Sequence, residues 1–358
     1  LRLGKPYYYI KRNCLLQAFF TLQFELSCRR VLFVLQFFMR LVIMALRDPV
    51  IQTLCVCQRR PAARMNNFMR IRHTMNVNGK LSSRKYRRIM VVLIVAAAVL
   101  VVFAVVCLWG AWENTALQLH SIAVRDEKIP DAFDGFTFAH VSDLHNTQFG
   151  EDQSRLAELL AGAKPDVIVV TGDVIDKRRP GTEHALDFFG RAVRIAPVYY
   201  VTGNHEAVSR EYPDLREKME KLGVTVLDDR AVELERGGAH ITLAGVDDPM
   251  FRTAEADKNA SLMREKLAHV LADNGQYTVL LTHRPELFGV YREAGVDLAF
   301  AGHAHGGQFR LPWGKGIVAP NQGLFPKYTQ GLYHEENGDM VVARGLGSSS
   351  VPIRLNTR

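Results

Sequence analysis

Seven side chains able to bind a metal follow five short apolar segments of this 358-residue chain. They are Asp143 and His145 in V-S-D-L-H, Asp173 in V-V-T-G-D-V-I-D and Asn204 in V-T-G-N-H-E, with His283 in L-L-T-H and the pair His303 and His305 in F-A-G-H-A-H-G-G-Q. Alone, D-x-H or G-H-x-H arises readily by accident, and an isolated His283 in T-H-R-P reads as a helix-cap or surface histidine. Together they put polar groups beside glycines at strand ends, where open α/β folds gather their ligands. Carboxylates, an amide and imidazoles, with no cysteine among them, suit two divalent ions; Mn, Fe and Zn all accept such donors.

The elements that must carry these groups alternate between two periodicities. Runs at 137–142, 166–171, 198–202, 240–246, 277–282 and 297–301 are rich in Val, Ile, Leu, Tyr and Phe and end on polar or glycine positions, as strands do. Between them, 153–163, 184–194, 213–222, 260–272 and 285–294 read as helices; Leu156, Leu159, Leu160 and Ala163 line one face, and Gly223 and Gly295 sit where helices end. Further on, 307–311, 317–319, 331–334 and 340–344 read as short strands in meander order. The expected fold is α/β, a four-layer α/β/β/α sandwich of two mixed sheets flanked by helices and preceded by one transmembrane helix.

Charge is divided along the chain. Residues 1–88 hold 18 Lys+Arg against 2 Asp+Glu, whereas residues 113–358 hold 27 against 35, so the formal net charge of +8 belongs to the N-terminal region. An acidic globular part offers no basic groove, and no specific nucleic-acid binding is expected. Residues 89–112 carry no charge, and about twenty apolar residues as a helix match the thickness of a bilayer. The basic flank at Lys80, Arg84, Lys85, Arg87 and Arg88 places the N-terminus in the cytoplasm and 113–358 on the other side, with Trp109 and Trp112 at the far interface. The run exceeds a usual signal-peptide core and lacks a small-x-small site, so a retained signal anchor is expected. Met75 looks like a natural start, leaving 1–74, with four of the five cysteines, as an N-terminal extension; 75–88 is then the cytoplasmic flank, 89–112 the anchor and 113–358 the catalytic domain.

In their order, D-x-H, G-D-x-x-D, G-N-H-E, a lone His after a strand and G-H-x-H resemble the calcineurin-like metallophosphoesterases, over residues 136–354. The G-H-x-H-G-G-Q ending, G-V-D-D-P and R-G-L-G-S-S-S-V-P-I-R are similar to the membrane-linked or exported bacterial branch. The resemblance implies that Asp143, His145 and His305 hold one metal, that Asn204, His283 and His303 hold the second, and that Asp173 bridges them. It also implies that His205 protonates the leaving oxygen, oriented by Asp176, which would raise its proton affinity, while a metal-bridging hydroxide attacks phosphorus. Glu206 is expected to support these groups. Asp247 and Asp248 read equally as cleft lining or as turn residues before Pro249. The 302–307 glycines read as turn formers, Lys177, Arg178 and Arg179 as solvated loop charge, Trp313 as a rim residue, and His184 and His240 as without a role. After P-I-R the chain runs only L-N-T-R where the family continues into a last strand, and a truncated sequence is expected there.

The expected function is therefore a membrane-anchored binuclear phosphoesterase of the bacterial cell membrane. Its catalytic domain lies on the outer face and acts on phosphodiesters, or on phosphomonoesters, of lipid or wall origin. The alternatives are a pyrophosphatase acting on nucleotide-linked lipid precursors and a non-catalytic metal-binding scaffold. A scaffold should have lost ligands, and this chain retains all seven.

Overall fold

A computed structural model describes residues 2–3, 83–271, 275–308, 310 and 316–347. Apart from residues 2–3, the expected N-terminal extension lies outside the described residues, as do residues 75–82 of the basic flank, Trp313 and the chain beyond Gly347.

Helix α1 (Ser83–Thr115) is continuous. Its segment Arg87–Trp109 is long and apolar enough to cross a membrane, and none of it is buried in the protein. In water, side chains such as Leu100 and Phe103 would have no cover; a bilayer would supply it.

The remainder begins its regular alternation with β1 (Phe138–Val141), α2 (Ser154–Ala163), β2 (Val167–Thr171), α3 (Glu183–Ala192), β3 (Val198–Val201), α4 (Tyr212–Leu222) and β4 (Thr225–Val226). These four strands form one sheet in the order β1-β2-β3-β4, parallel throughout. A second sheet is built from β5 (Arg230–Arg236), β6 (Ala239–Gly245), β7 (Thr278–Leu281), β8 (Leu298–Ala301), β9 (Gly331–Glu335) and β10 (Gly338–Val342), in the order β9-β10-β8-β7-β6-β5. Its centre is parallel, and a hairpin closes each edge. Helices α5 (Asn259–Val270) and α6 (Phe288–Glu293) cover that sheet.

The pleat assigns the layers. Val167 and Val169 of β2 face the gap between the sheets, where Phe138, Val279, Leu281, Leu298 and Phe300 meet them. Ile168 and Val170, pointing the other way, pack on α2 to α4 through Leu156, Phe188, Phe189 and Met219. Leu280, Ala299 and Ala301 likewise face α5 and α6 through Met263, Leu267 and Phe288. Three apolar layers between four layers of elements give the expected sandwich.

Three local expectations are revised. Strand β5 was not foreseen: its exposed Arg230, Glu233 and Glu235 hide the apolar alternation, and only Leu234 is buried. The C-terminal strands are no simple meander, because β10 inserts parallel to β8. His305–Gly307 is a 3-10 turn, so no strand starts at Gly307.

Candidate metal centre

The seven donors emerge from the carboxyl ends of β1, β2, β3, β7 and β8, on one edge of the two sheets. Sharp reversals bring them back over that edge. Asp143, His145, Asp173, His303 and His305 all stand in the left-handed region, with φ between 48° and 65°. That conformation disfavours side chains with a Cβ, and surrounding contacts must hold it. Here they do: Asp143 N–H donates to Gly172 O (3.0 Å) and His145 N–H to Asp173 O (3.0 Å). Gly203 is required beside them, since a Cβ there would collide with the Asp173 carboxylate.

The structure gathers these residues into two groups. Donor atoms of Asp143, His145 and His305 lie within 4.8 Å of one another, and so do those of Asp173, His283 and His303. Asn204 joins the second group through Oδ1, 3.2 Å from His283 Nε2. Asp173 Oδ2 stands 3.2 Å from His283 Nε2 and 3.7 Å from His145 Nε2, so one carboxylate oxygen faces both groups. Two imidazole pairs approach nitrogen to nitrogen at 3.1 Å, His145 with His305 and His283 with His303. Lone pairs aimed at one another in a buried space call for a cation or a proton between them.

Electrostatics agree with that demand. Burial pushes His145 and His303 well below the usual histidine range, which leaves them neutral and able to ligate. Burial would lower His283 too, but the adjacent Asp173 carboxylate overrides it and raises the ring to about 10. Burial alone would raise Asp173; His283 and its hydrogen bond instead hold it well below the carboxylate range. Without a metal, a proton on His283 thus supplies the positive charge that Asp173 requires. This donor set fits two divalent cations in place of that proton.

His205 is buried beside the groups, its ring edge-on to His145 with centroids 4.6 Å apart. Its Nδ1 lies 3.3 Å from Asp176 Oδ1 and accepts the Lys177 N–H at 3.1 Å. A backbone N–H can only donate, so the neutral ring carries its proton on Nε2. Burial is the largest effect on His205 and takes its proton affinity down, although Asp173 and Asp176 push it upward. Asp176 is also shared, since it accepts from Arg178 N–H (3.0 Å) and from the Arg179 guanidinium (3.1 Å).

Several supporting groups were partly or wholly hidden in the sequence. Glu206 accepts N–H bonds from Asp173 (2.8 Å), Gly203 (2.8 Å) and Ile175 (3.2 Å), tying two ligand loops together. Burial and the Asp173 charge push it up to about 8 against the pull of those donors. Asp248 does not line an open cleft; it grips buried Arg284 through two bonds, Nε to Oδ2 at 2.6 Å and Nη2 to Oδ1 at 2.9 Å. Arg284 Nη1 reaches His303 Nε2 at 3.1 Å. Asp247 is likewise engaged, with buried Lys266. Arg179 is more than loop charge, because it also donates to the His145 carbonyl at 2.7 Å. Gly345 and Gly347 of the late R-G-L-G segment lie against the Asp143 loop, Gly347 N–H donating to Asp143 O at 2.6 Å.

The pattern of the calcineurin-like phosphoesterase family matches residues 136–307. The uncharacterised metallophosphoesterase YkuE of Bacillus subtilis is 29% identical over 248 residues, which cover 68% of this chain and 83% of that protein. A transmembrane protein with a metallophosphoesterase domain from Danio rerio is 26% identical over 270 residues, 72% of this chain and 60% of its own length. Among solved structures, TT1561 of Thermus thermophilus is similar with a TM-score of 0.43 at 14% identity, covering 59% of this chain and 90% of that one.

Proposed function

We propose that the chain is a membrane-anchored, binuclear enzyme acting on phosphodiesters; its residues 136–307 form a calcineurin-like phosphoesterase domain, that of a metal-dependent phosphoric ester hydrolase. The observation that carries this reading is the pair of buried three-donor groups faced by a single oxygen of Asp173. Asp143, His145 and His305 would hold one cation, Asn204, His283 and His303 the other, and Asp173 both. Cations held by these residues would supply Lewis acidity toward a phosphoryl oxygen and a nucleophilic water at neutral pH. A bridging carboxylate offsets their repulsion, and the Asn204 amide contributes an oxygen without further negative charge.

The chain's own part is positioning and proton delivery. His205, its Nδ1 occupied by the Lys177 N–H, presents Nε2–H as a hydrogen-bond donor to the departing oxygen; a full proton reaches that oxygen only from the imidazolium, in which Nδ1–H turns to Asp176 Oδ1 in place of the Lys177 N–H. The Lys177 N–H fixes the neutral ring, Asp176 holds it once it is protonated, and Arg179 fixes Asp176. Glu206 locks the turns that carry Asp173 and Asn204, so neither donor reorganises when substrate arrives. The basic flank before the apolar segment of α1 supports a cytoplasmic N-terminus, and therefore a catalytic domain on the opposite, outer side of the membrane.

Metal analysis of the detergent-solubilised chain, paired with a hydrolysis screen, tests this. The substrates are a bis-aryl phosphodiester, an aryl monophosphate and a nucleotide-linked pyrophosphate. Two equivalents of transition metal and fastest turnover of the diester are expected. Fewer than one equivalent would refute the binuclear reading, and faster cleavage of the pyrophosphate would move the chain to the alternative substrate class.

A further inference from the structure

Beside the second group of donors lies a cavity of about 190 Å³. Asn204, His303 and Arg284 line it together with Met250 from the stretch between β6 and α5, Asn259 at the start of α5 and Pro320 from a short hairpin. Asn259 is the residue out of place. It is only 5% exposed, and its Oδ1 has no hydrogen-bond partner. It opens α5 but caps nothing. Buried amides are nearly always paired, and an unpaired one costs stability unless a ligand or water completes it. Arg284 is directed elsewhere, Nε and Nη2 to Asp248 and Nη1 to His303, and none of the other polar lining residues, Thr253, Asn204 and Asn321, bonds Asn259 Oδ1.

We propose that this cavity binds one alcohol moiety of the phosphoester and that Asn259 reads a hydroxyl on that alcohol. The substrate class is thus an ester of a small polyol. A hydroxyl both donates and accepts, so it satisfies the amide whichever way the amide stands. A volume of about 190 Å³ admits an alcohol of three carbons and two further oxygens. Arg284, fixed behind the cavity, adds a positive field toward the esterified phosphate without donating a bond of its own. This inference rests on the phosphoesterase reading, since contact of the cavity with Asn204 and His303 is what places an ester there.

The test uses the full chain in detergent with its metals and two substrates sharing one aryl leaving group, p-nitrophenyl 2,3-dihydroxypropyl phosphate and p-nitrophenyl propyl phosphate. Wild type is expected to favour the dihydroxy ester about tenfold in kcat/KM, carried mainly by KM, and Asn259→Leu should bring the ratio close to one. A ratio near one in wild type, or an unchanged ratio in Asn259→Leu, overturns the proposal. If wild type hydrolyses neither ester, the proposed function is what fails, and the cavity is then judged by calorimetric binding of glycerol phosphate against propyl phosphate. Tighter binding of the glycerol ester that Asn259→Leu abolishes upholds the hydroxyl subsite; equal binding ends it. The Asn259→Asp variant, which keeps an acceptor, guards against misfolding of the leucine variant: it should retain the preference.

Discussion

At the scale of single residues, the centre is a compromise between conformational strain and donor geometry. Five of its residues hold φ between 48° and 65°, a conformation that disfavours L-residues by about 1–2 kcal/mol each. Such strain survives only where neighbours over-determine it, and Asp173 shows how. Its backbone N–H donates to Glu206, its Oδ1 accepts the His205 N–H at 2.8 Å, and its Oδ2 faces His283 and His145. Asp173→Asn conserves shape but removes the charge that both metal groups share. Metal bound per chain should fall from two equivalents to below one, measured by elemental analysis; equal content in variant and wild type would show that Asp173 does not bridge. His205 makes the opposite prediction. It touches the centre through ring contact with His145 and is assigned to proton delivery, so His205→Ala should retain its metals while turnover falls about 10²–10⁴-fold. Loss of metal in parallel with activity would instead make His205 a ligand.

At the scale of elements, loops are what must be held, and two buried carboxylates hold them. Glu206 joins the turns after β2 and β3. Asp248, after β6, joins the turn after β7 through Arg284, and Arg284 joins the turn after β8 through His303. With Arg284 only 2% exposed, Arg284→Met strands the Asp248 carboxylate in the interior, and a loss of about 3–5 kcal/mol is expected in chemical denaturation. The double variant Arg284→Met with Asp248→Leu removes both charges and should recover much of that loss. If the two losses simply add, Asp248 and Arg284 are not a coupled pair. The clamp also marks the limit of what sequence discloses. The metal donors were legible because their chemistry demands particular residue types after particular strands, and the strands themselves because Val and Ile runs such as 167–170 are buried on both faces. Arg284 was not, since an arginine in a loop is ordinarily solvated. Only the fold, by bringing the ends of β6, β7 and β8 side by side, turns T-H-R-P and G-V-D-D-P into one structure. Strand β5 was missed for a related reason: on an edge hairpin, tertiary pairing decides the conformation and charged residues mask the pattern.

At the scale of the molecule, the division of charge and the apolar helix bear on where the chemistry occurs. Residues 80–88 crowd Lys80, Arg84, Lys85, Arg87 and Arg88 against the start of the apolar segment, and Glu113 follows it. Moving a cluster of cations across a bilayer is costly, so the proposed orientation keeps the basic end in the cytoplasm and carries the acidic part over. That orientation separates the two substrate readings. Nucleotide-linked lipid precursors arise where nucleotides are, on the cytoplasmic face, whereas polyol phosphodiesters of the outer leaflet or the wall face the other way. Alkaline phosphatase gains activity only outside the cytoplasm, so a fusion at the catalytic end should be active in cells. Replacing Lys80, Arg84, Lys85, Arg87 and Arg88 together by Gln, and adding three Lys after Glu113, should weaken or invert the fusion's activity, because Lys/Arg asymmetry across short flanks sets orientation. An inactive wild-type fusion, with a cytoplasmic reporter active in its place, would put the metal centre on the nucleotide side and make the pyrophosphate substrate the stronger reading.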